Sequence, residues 1–168
     1  MVEVRAETAA DAAGIRALHC AAFPTPAEAD LVDRLRTSGE ALVSLVAAEE
    51  DRVIGHVLFS RIDAEADDRV VAAMGLAPVA VLPDHQAQGI GSALIRAGLR
   101  LAESRGVDIV FVVGEPGYYR RFGFDAAAAA PFASPYAGPH LQALVLGPDF
   151  QLPKRGRADY PAAFAGLE

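Results

Sequence analysis

Apolar positions in residues 9–23 recur at helical spacing, with Ile15, Leu18, Ala22 and Phe23 near one face. Thr8 stands before this stretch as an N-cap, and Asp11 falls in the first turn, where the helix dipole favours a negative charge. Pro24-Thr25-Pro26 ends the helix and opens a second over residues 27–36, whose apolar face is Leu31, Val32 and Leu35 and whose stop is Gly39. The pattern elsewhere has the shorter period of strands. Val2-Glu3-Val4 alternates as a first strand, and residues 41–48 and 53–60 are strand-like runs joined through Glu49-Glu50-Asp51-Arg52 as a hairpin. The charged residues 61–69 predict a turn. Residues 70–81 are nearly all apolar, as in a strand covered on both faces, and Pro78 belongs at a bulge or local edge because it cannot donate to a ladder.

Residues 89–105 carry the strongest helical pattern, with Leu94, Ile95, Leu99 and Ala102 on one side, Arg96, Arg100 and Glu103 on the other, and Gly106 as C-cap. A buried strand over 107–113 follows, so strand, helix and strand form a βαβ unit with parallel pairing. Residues 116–122 predict a short helix and 141–146 a last strand, while the alanine run 126–130 and the proline-rich stretch to Pro139 read as loop. The fold class is therefore α/β, a mixed central sheet of six to seven strands with about four helices. The expected organisation is one domain over residues 1–168, with a core in 2–124 and loop, last strand and tail in 125–168.

Composition narrows the chemistry. At 168 residues, 52 % hydrophobic and 22 % charged, the chain is globular and of single-domain size. A net charge of −7 disfavours nucleic acid and anionic membrane as partners. Cys20 is the single cysteine, which excludes an intrachain disulfide and a CxxC site. His19, His56, His85 and His140 are scattered without a metal-binding pair, so no metal is expected. Charge in the first five residues and the lack of a ~20-residue apolar run predict a soluble, cytoplasmic protein. Monomer and homodimer both remain open.

Chemistry concentrates between the long strand and the long helix, in Leu82-Pro83-Asp84-His85-Gln86-Ala87-Gln88-Gly89-Ile90-Gly91-Ser92. Two glycines spaced by one residue permit a tight turn and close backbone approach to a ligand. The helix that begins there offers unpaired N–H groups and the positive end of its dipole, an anion site suited to a phosphate or pyrophosphate. A Walker P-loop is excluded because no Lys-Ser or Lys-Thr follows, and a dinucleotide fingerprint because Leu94 holds the third glycine position. A glycine-rich turn without a ligand is the plain alternative.

Gln86-Ala87-Gln88-Gly89-Ile90-Gly91 resembles the Gln/Arg-x-x-Gly-x-Gly/Ala loop of the GNAT superfamily of acetyl-CoA-dependent N-acetyltransferases, and residues 76–83 resemble that family's fourth strand. Gly114 to Phe124, with its Gly-x-Pro-x-Tyr-Tyr-x-Arg-Phe-Gly-Phe order, resembles the Tyr-x-x-x-Gly-Phe signature as it occurs in one bacterial branch of predicted members. The resemblance spans residues 2–124. It implies a sheet splayed between strands four and five, with acetyl-CoA as cosubstrate and a primary amine as acceptor. It also implies cofactor contacts from Val79 and Val81 through their backbone, from Gln86, Ala87, Gln88, Gly89, Ile90, Gly91 and Ser92 at the pyrophosphate, and from Tyr119 at the sulfur. Tyr119 is in this reading the general acid toward the leaving thiolate; half-buried packing is the other role open to Tyr118 and Tyr119. Many family members carry an asparagine just after strand five, where this chain has Gly114-Glu115-Pro116.

A protonated amine cannot attack a thioester, so a base must take its proton. Glu28 is the first candidate, because the resemblance puts its segment along the acceptor cleft, and Glu115 is the second. His85 is read as facing solvent, and Asp30 and Asp33 as structural. Cys20, in mid-helix without a partner base, argues for direct transfer without an acyl-enzyme. From another class, the rival reading is a catalytically inactive CoA-binding sensor or partner module that keeps the loop while Tyr119 and the carboxylates do nothing.

Overall fold

The computed structural model describes residues 1–165, so the last three residues of the expected tail lie outside the described residues. The chain forms two compact units, one from residues 1–60, 77–101 and the segment from 162 onward, the other from 61–76 and 102–161. Strands β3 (Arg52–Ala66) and β4 (Arg69–Val81) each contribute to both.

In the first unit, β1 (Val2–Ala6) pairs antiparallel with β2 (Ala41–Glu49), and β2 pairs antiparallel with β3. The β2–β3 hairpin turns at Glu50 and Asp51, both at positive φ, the backbone of a two-residue turn that follows strand twist. Between β1 and β2 lie α1 (Ala12–Ala22) and α2 (Ala27–Ser38), the latter closed by Gly39 in the left-handed region. The predicted first helix begins instead as a 3-10 turn, Ala9–Asp11. Asp11 accepts from the Thr8 backbone at 2.7 Å and takes both Arg5 terminal nitrogens at 2.7 and 3.0 Å, which holds its carboxyl far below the usual carboxylate range. The long helix α3 (Ile90–Ser104) packs on β3 without spacing side chains: a methyl group at Gly55 would lie 3.0 Å from Ile90 and Leu94, and one at Gly98 would collide with Phe59 at 2.2 Å. That close seat fixes where α3 begins.

The second unit contains β5 (Ile109–Val113), β6 (Phe132–Ala133), β7 (Leu141–Val145) and β8 (Gly156–Asp159), with the one-turn helices α4 (Pro116–Tyr119) and α5 (Ala126–Ala129). Here β4 pairs parallel with β5, as the βαβ reading requires, through a three-residue ladder, Ala73–Gly75 with Ile109–Phe111. The strand order is β1-β2-β3-β4-β5-β7, with β8 antiparallel to β3 and parallel to β6, a mixed sheet of eight strands among the described residues. Ile62, Ala64, Phe111, Phe132 and Leu141 sit in the unit's buried core, with the Phe111 and Phe132 rings edge to face at 5.0 Å.

Three expectations need correction. Residues 61–66 are strand, because Ile62, Ala64 and Ala66 are buried in alternation with Arg61, Asp63 and Glu65, and the turn is only Asp67-Asp68 at positive φ. The start of β4 is not covered on both faces, since Val70 is 84 % exposed. The alanine run forms a helical turn, because Asp125 caps it by accepting from the Ala127 N–H at 2.9 Å. Among the described residues no helix is long and apolar enough to cross a membrane.

Candidate active site

The loop between β4 and α3 lies wholly in the first unit. The Leu82 N–H donates to the Ile54 carbonyl at 2.9 Å, a 3-10 turn covers Pro83–His85, and the Gln86 side-chain amide donates to the Val81 carbonyl at 3.0 Å. Gln86 thus ties the loop back onto its own strand, and its first role here is to shape the loop. Two residues then adopt positive φ, Ala87 at 63° and Gly89 at 81°. An alanine in the left-handed region costs about 1–2 kcal/mol, a strain this exposed turn carries for its shape. At Gly89 an added methyl would meet nothing within 4 Å, so the surrounding protein leaves the space over that backbone open.

Ile90 opens α3, and the first intrahelical bond runs from the Ala93 N–H to the Gly89 carbonyl at 3.0 Å. Ile90, Gly91 and Ser92 therefore have no carbonyl one turn back, and their amides form an N-terminal donor set on a 15-residue helix. Gln88 and Gly89 are exposed and Gly91 and Ser92 half-buried. Apolar packing beneath and donors above make a cradle for an anion, which a lysine is not needed to complete. His85 departs from expectation. Its side chain is only 18 % exposed, with Nε2 3.6 Å from Glu49 Oε1, because the 3-10 turn folds it against the β2–β3 hairpin.

Tyr119 lies in the second unit, at the end of α4. Its ring meets Tyr118 edge to face at 5.0 Å and Phe124 at 5.9 Å, and burial, with a smaller contribution from Tyr118, pushes its phenol up to about 12. The hydroxyl therefore stays protonated across the physiological range and is a donor. Gly114 explains the close seat of this ring: a methyl there would lie 2.4 Å from Tyr119 Cε2. Tyr118 is instead covered by the Arg121 guanidinium, 4.4 Å above its ring. Glu115 is exposed, and its backbone carbonyl accepts from both Tyr118 and Tyr119 N–H groups.

Glu28 lies in the first turn of α2, with Oε1 buried and unpartnered. Asp30 and Asp33, expected to be structural, are bound to Arg16 at 2.9 and 2.8 Å. The first unit thus contains Val79, Val81, the loop from Gln86 to Ser92 and Glu28, and does not contain Tyr119. Sequence reasoning missed a buried polar chain. His19 Nε2 meets His56 Nδ1 at 2.9 Å, and His56 Nε2 meets Ser44 Oγ at 2.8 Å. Both rings are fully buried; desolvation, reinforced by Arg36, lowers His19 to about 4, and His56 is held well below its ordinary value chiefly by burial. The available signal was position: His19 stands one turn after Ile15 on the apolar stripe, and His56 stands inside an apolar strand. Among the described residues no group of three or more His, Cys, Asp or Glu side chains could hold a metal ion.

Comparison with known proteins gives a consistent picture. The family described as "Acetyltransferase (GNAT) domain" matches residues 3–127. The uncharacterized N-acetyltransferase YhbS of Escherichia coli is 39 % identical over 126 residues, 74 % of each chain. YjhQ of the same organism, also an uncharacterized N-acetyltransferase, is 37 % identical over 132 residues, 77 % of this chain and 73 % of that one. The crystal structure of E. coli YhbS in complex with CoA superposes with a TM-score of 0.88 at 31 % identity, covering 99 % of this chain and 93 % of that one. A GNAT acetyltransferase of Brucella melitensis in complex with acetyl-CoA gives 0.80 at 36 % identity, covering 98 % of each. With the loop geometry, the α/β sheet and these matches in agreement, the chain belongs to the GNAT family of acetyltransferases.

Proposed function

We infer that this protein transfers the acetyl group of acetyl-CoA directly to a primary amine. The observation that carries this reading is the loop itself: left-handed backbone at Ala87 and Gly89, open space above Gly89, and the amides of Ile90, Gly91 and Ser92 at the head of α3. Those groups fit a pyrophosphate, and two solved relatives of the same fold hold CoA or acetyl-CoA. In this proposal Gln88 to Ser92 receive the pyrophosphate, Gln86 and Ala87 hold the turn in place, and the backbone of Val79 and Val81 adds to the pantetheine arm as a neighbouring strand does.

The chemistry asked of the chain is a series of proton movements. Glu28 takes a proton from the acceptor's ammonium group, with Glu115 as the second candidate, and leaves a neutral amine. As the nitrogen–carbon bond forms and the carbon–sulfur bond breaks, Tyr119 gives its phenolic proton to the departing thiolate, and the surplus proton shed by the acylated nitrogen restores the phenol, while Glu28 returns its own proton to solvent. Burial keeps the phenol protonated until the thiolate forms, while its raised pKa makes it a weaker acid than an exposed tyrosine. Cys20 is exposed and free, with no hydrogen-bond partner base among the described contacts, which favours direct transfer. We propose that residues 1–168 form one acetyltransferase domain.

Titration calorimetry with acetyl-CoA, followed by free-thiol release with a panel of primary amines, tests the reading. Binding together with amine-dependent thiol release supports it. Tight binding without release for any amine would instead identify a CoA-binding sensor, and no binding would remove both.

A further inference from the structure

The buried faces of α1 and α2 are apolar through Ile15 and Leu18 on one helix and Leu31, Val32 and Leu35 on the other. Both faces change character toward the connection at residues 23–26. One turn past Ile15 the stripe carries His19, and one turn before Leu31 and Val32 it carries Glu28. Arg16 spans the two helices to Asp30 and Asp33, so the turns holding His19 and Glu28 come next toward the connection on either side.

Each of these side chains offers a buried polar atom without a partner. His19 is 0 % exposed, and neither its Nδ1 nor Glu28 Oε1 makes a hydrogen bond. Such atoms are costly to bury, and two at the same end of one helix pair point to a ligand that serves both. The other acids of this helix pair are matched, since Asp30 and Asp33 hold Arg16, and elsewhere in the unit Glu7 holds Arg36 at 2.7 Å and Asp11 holds Arg5. Among the described residues Glu28 has no such cation.

The far side of His19 decides what kind of group it is. His56 occupies its Nε2, and Ser44 Oγ occupies the far nitrogen of His56. When His19 Nε2–H donates to His56 and His56 Nε2–H donates to the serine oxygen, His19 Nδ1 is left as a bare acceptor. With the carboxylate at the same end of the helix pair as a second acceptor, the two suit a cation that carries several N–H donors. An anion would be repelled there, and an alcohol has only one proton to offer.

We propose that His19 Nδ1 and Glu28 Oε1 together receive the ammonium group of the acceptor amine, and that the Ser44–His56 chain holds His19 in the acceptor tautomer. The naming of this cation as the acceptor rests on the transferase reading above. Glu28 then binds the ammonium before taking its proton, while His19, kept neutral by burial and by Arg36, orients it.

Ring-nitrogen NMR of the 15N-histidine-labelled full chain, with ethylammonium chloride as the probe and sodium chloride at equal ionic strength as the control, tests the site without acetyl transfer. The free protein should show His19 Nδ1 as the unprotonated nitrogen, and ethylammonium should shift it saturably. Glu28→Gln should weaken that response by about tenfold or more, the scale of a lost charge-assisted hydrogen bond. A protonated Nδ1, or a ring unmoved by ethylammonium, overturns the proposal. In the thiol-release assay, His19→Gln keeps the bond to His56 and loses the Nδ1 position, so it should raise KM for the amine about tenfold at unchanged acetyl-CoA affinity; should it fail to fold, the NMR arms on wild type and Glu28→Gln decide alone. Amine-dependent turnover with unmoved ring nitrogens sinks this site and leaves the transferase; shifted nitrogens without turnover do the reverse.

Discussion

Replacing Gly114 with alanine should damage this protein through the tyrosine it supports. The added methyl would lie 2.4 Å from Tyr119 Cε2 and 3.0 Å from Cδ2, where ordinary contact begins near 3.4 Å, so the ring must yield by about 1 Å. It has little room to do so. Tyr118, Phe122 and Phe124 surround it at ring-centre distances of 5.0, 6.3 and 5.9 Å, and its backbone N–H is held by the Glu115 carbonyl at 3.1 Å. Overpacking of this kind costs about 1–3 kcal/mol, which for a chain of this size lowers Tm by roughly 2–12 °C. If Tyr119 is the acid, a displacement of about 1 Å also lowers kcat by roughly ten- to a hundredfold, with acetyl-CoA affinity unchanged. Gly117→Ala is the matched control, because a methyl there meets nothing within 4 Å. Thermal denaturation, calorimetry and thiol release would be run on both. A Gly114→Ala protein that matches Gly117→Ala in Tm and kcat refutes the packing argument; one that loses Tm but keeps kcat leaves the packing and removes Tyr119 from the chemistry.

Tyr119→Phe keeps the ring and removes the proton, so turnover should fall by roughly 10²-fold while acetyl-CoA binding holds in calorimetry; wild-type turnover would exclude Tyr119 as an essential acid. Tyr118→Phe, whose ring lies under Arg121, should be the milder of the two in the same assay. Gly91→Val puts a branched side chain among the first amides of α3 and should weaken acetyl-CoA binding by about thirtyfold, or about 2 kcal/mol, in a protein that still folds. His19 is lowered from 6.5 to about 4, so the unfolded state binds more protons between those values, and stability is complete above pH 6.5 and lost as the pH falls toward 4. Denaturant titrations at pH 7 and pH 4 should differ by up to about 3 kcal/mol more in wild type than in His19→Gln, and equal losses in the two would refute it.

The elements legible in the sequence are those whose pattern and ends are both local. Residues 89–105 carry a full amphipathic period, a glycine turn at one end and Gly106 at positive φ at the other, and α3 occupies Ile90–Ser104. The β2–β3 hairpin and the parallel β4–β5 pair follow from equally short-range signals. What escaped depends on partners distant in sequence. Residues 61–66 alternate charged and apolar side chains, and besides their neighbour β4 they are held as strand by β8, about ninety residues later, which pairs with Asp63 to Ala66. β8 itself, Gly156–Asp159, has no strand pattern of its own and exists through β3 and β6.

The same division runs through the site. The anion cradle is a contiguous segment, so its residue types announce its backbone: Gly89 at positive φ, a helix immediately after, and a glutamine that anchors the turn. The tyrosine is contiguous with the Gly-x-Pro-x-Tyr-Tyr segment, and the glycine at 114 belongs with it, since an asparagine there would drive its Cβ into the Tyr119 ring by the same 2.4 Å collision. The polar chain has no such signature. Ser44, His56 and His19 come from two strands and a helix, and each alone reads as an ordinary strand or core residue. Only their hydrogen bonds, at 2.9 and 2.8 Å, show that two fully buried imidazoles are mutually oriented and that one nitrogen is left over. As proposed, cofactor recognition in this chain is written in consecutive residues because it is backbone chemistry. In the proposed site, acceptor recognition is built from side chains that meet only after folding, which is why the sequence points to the first ligand and is silent on the second.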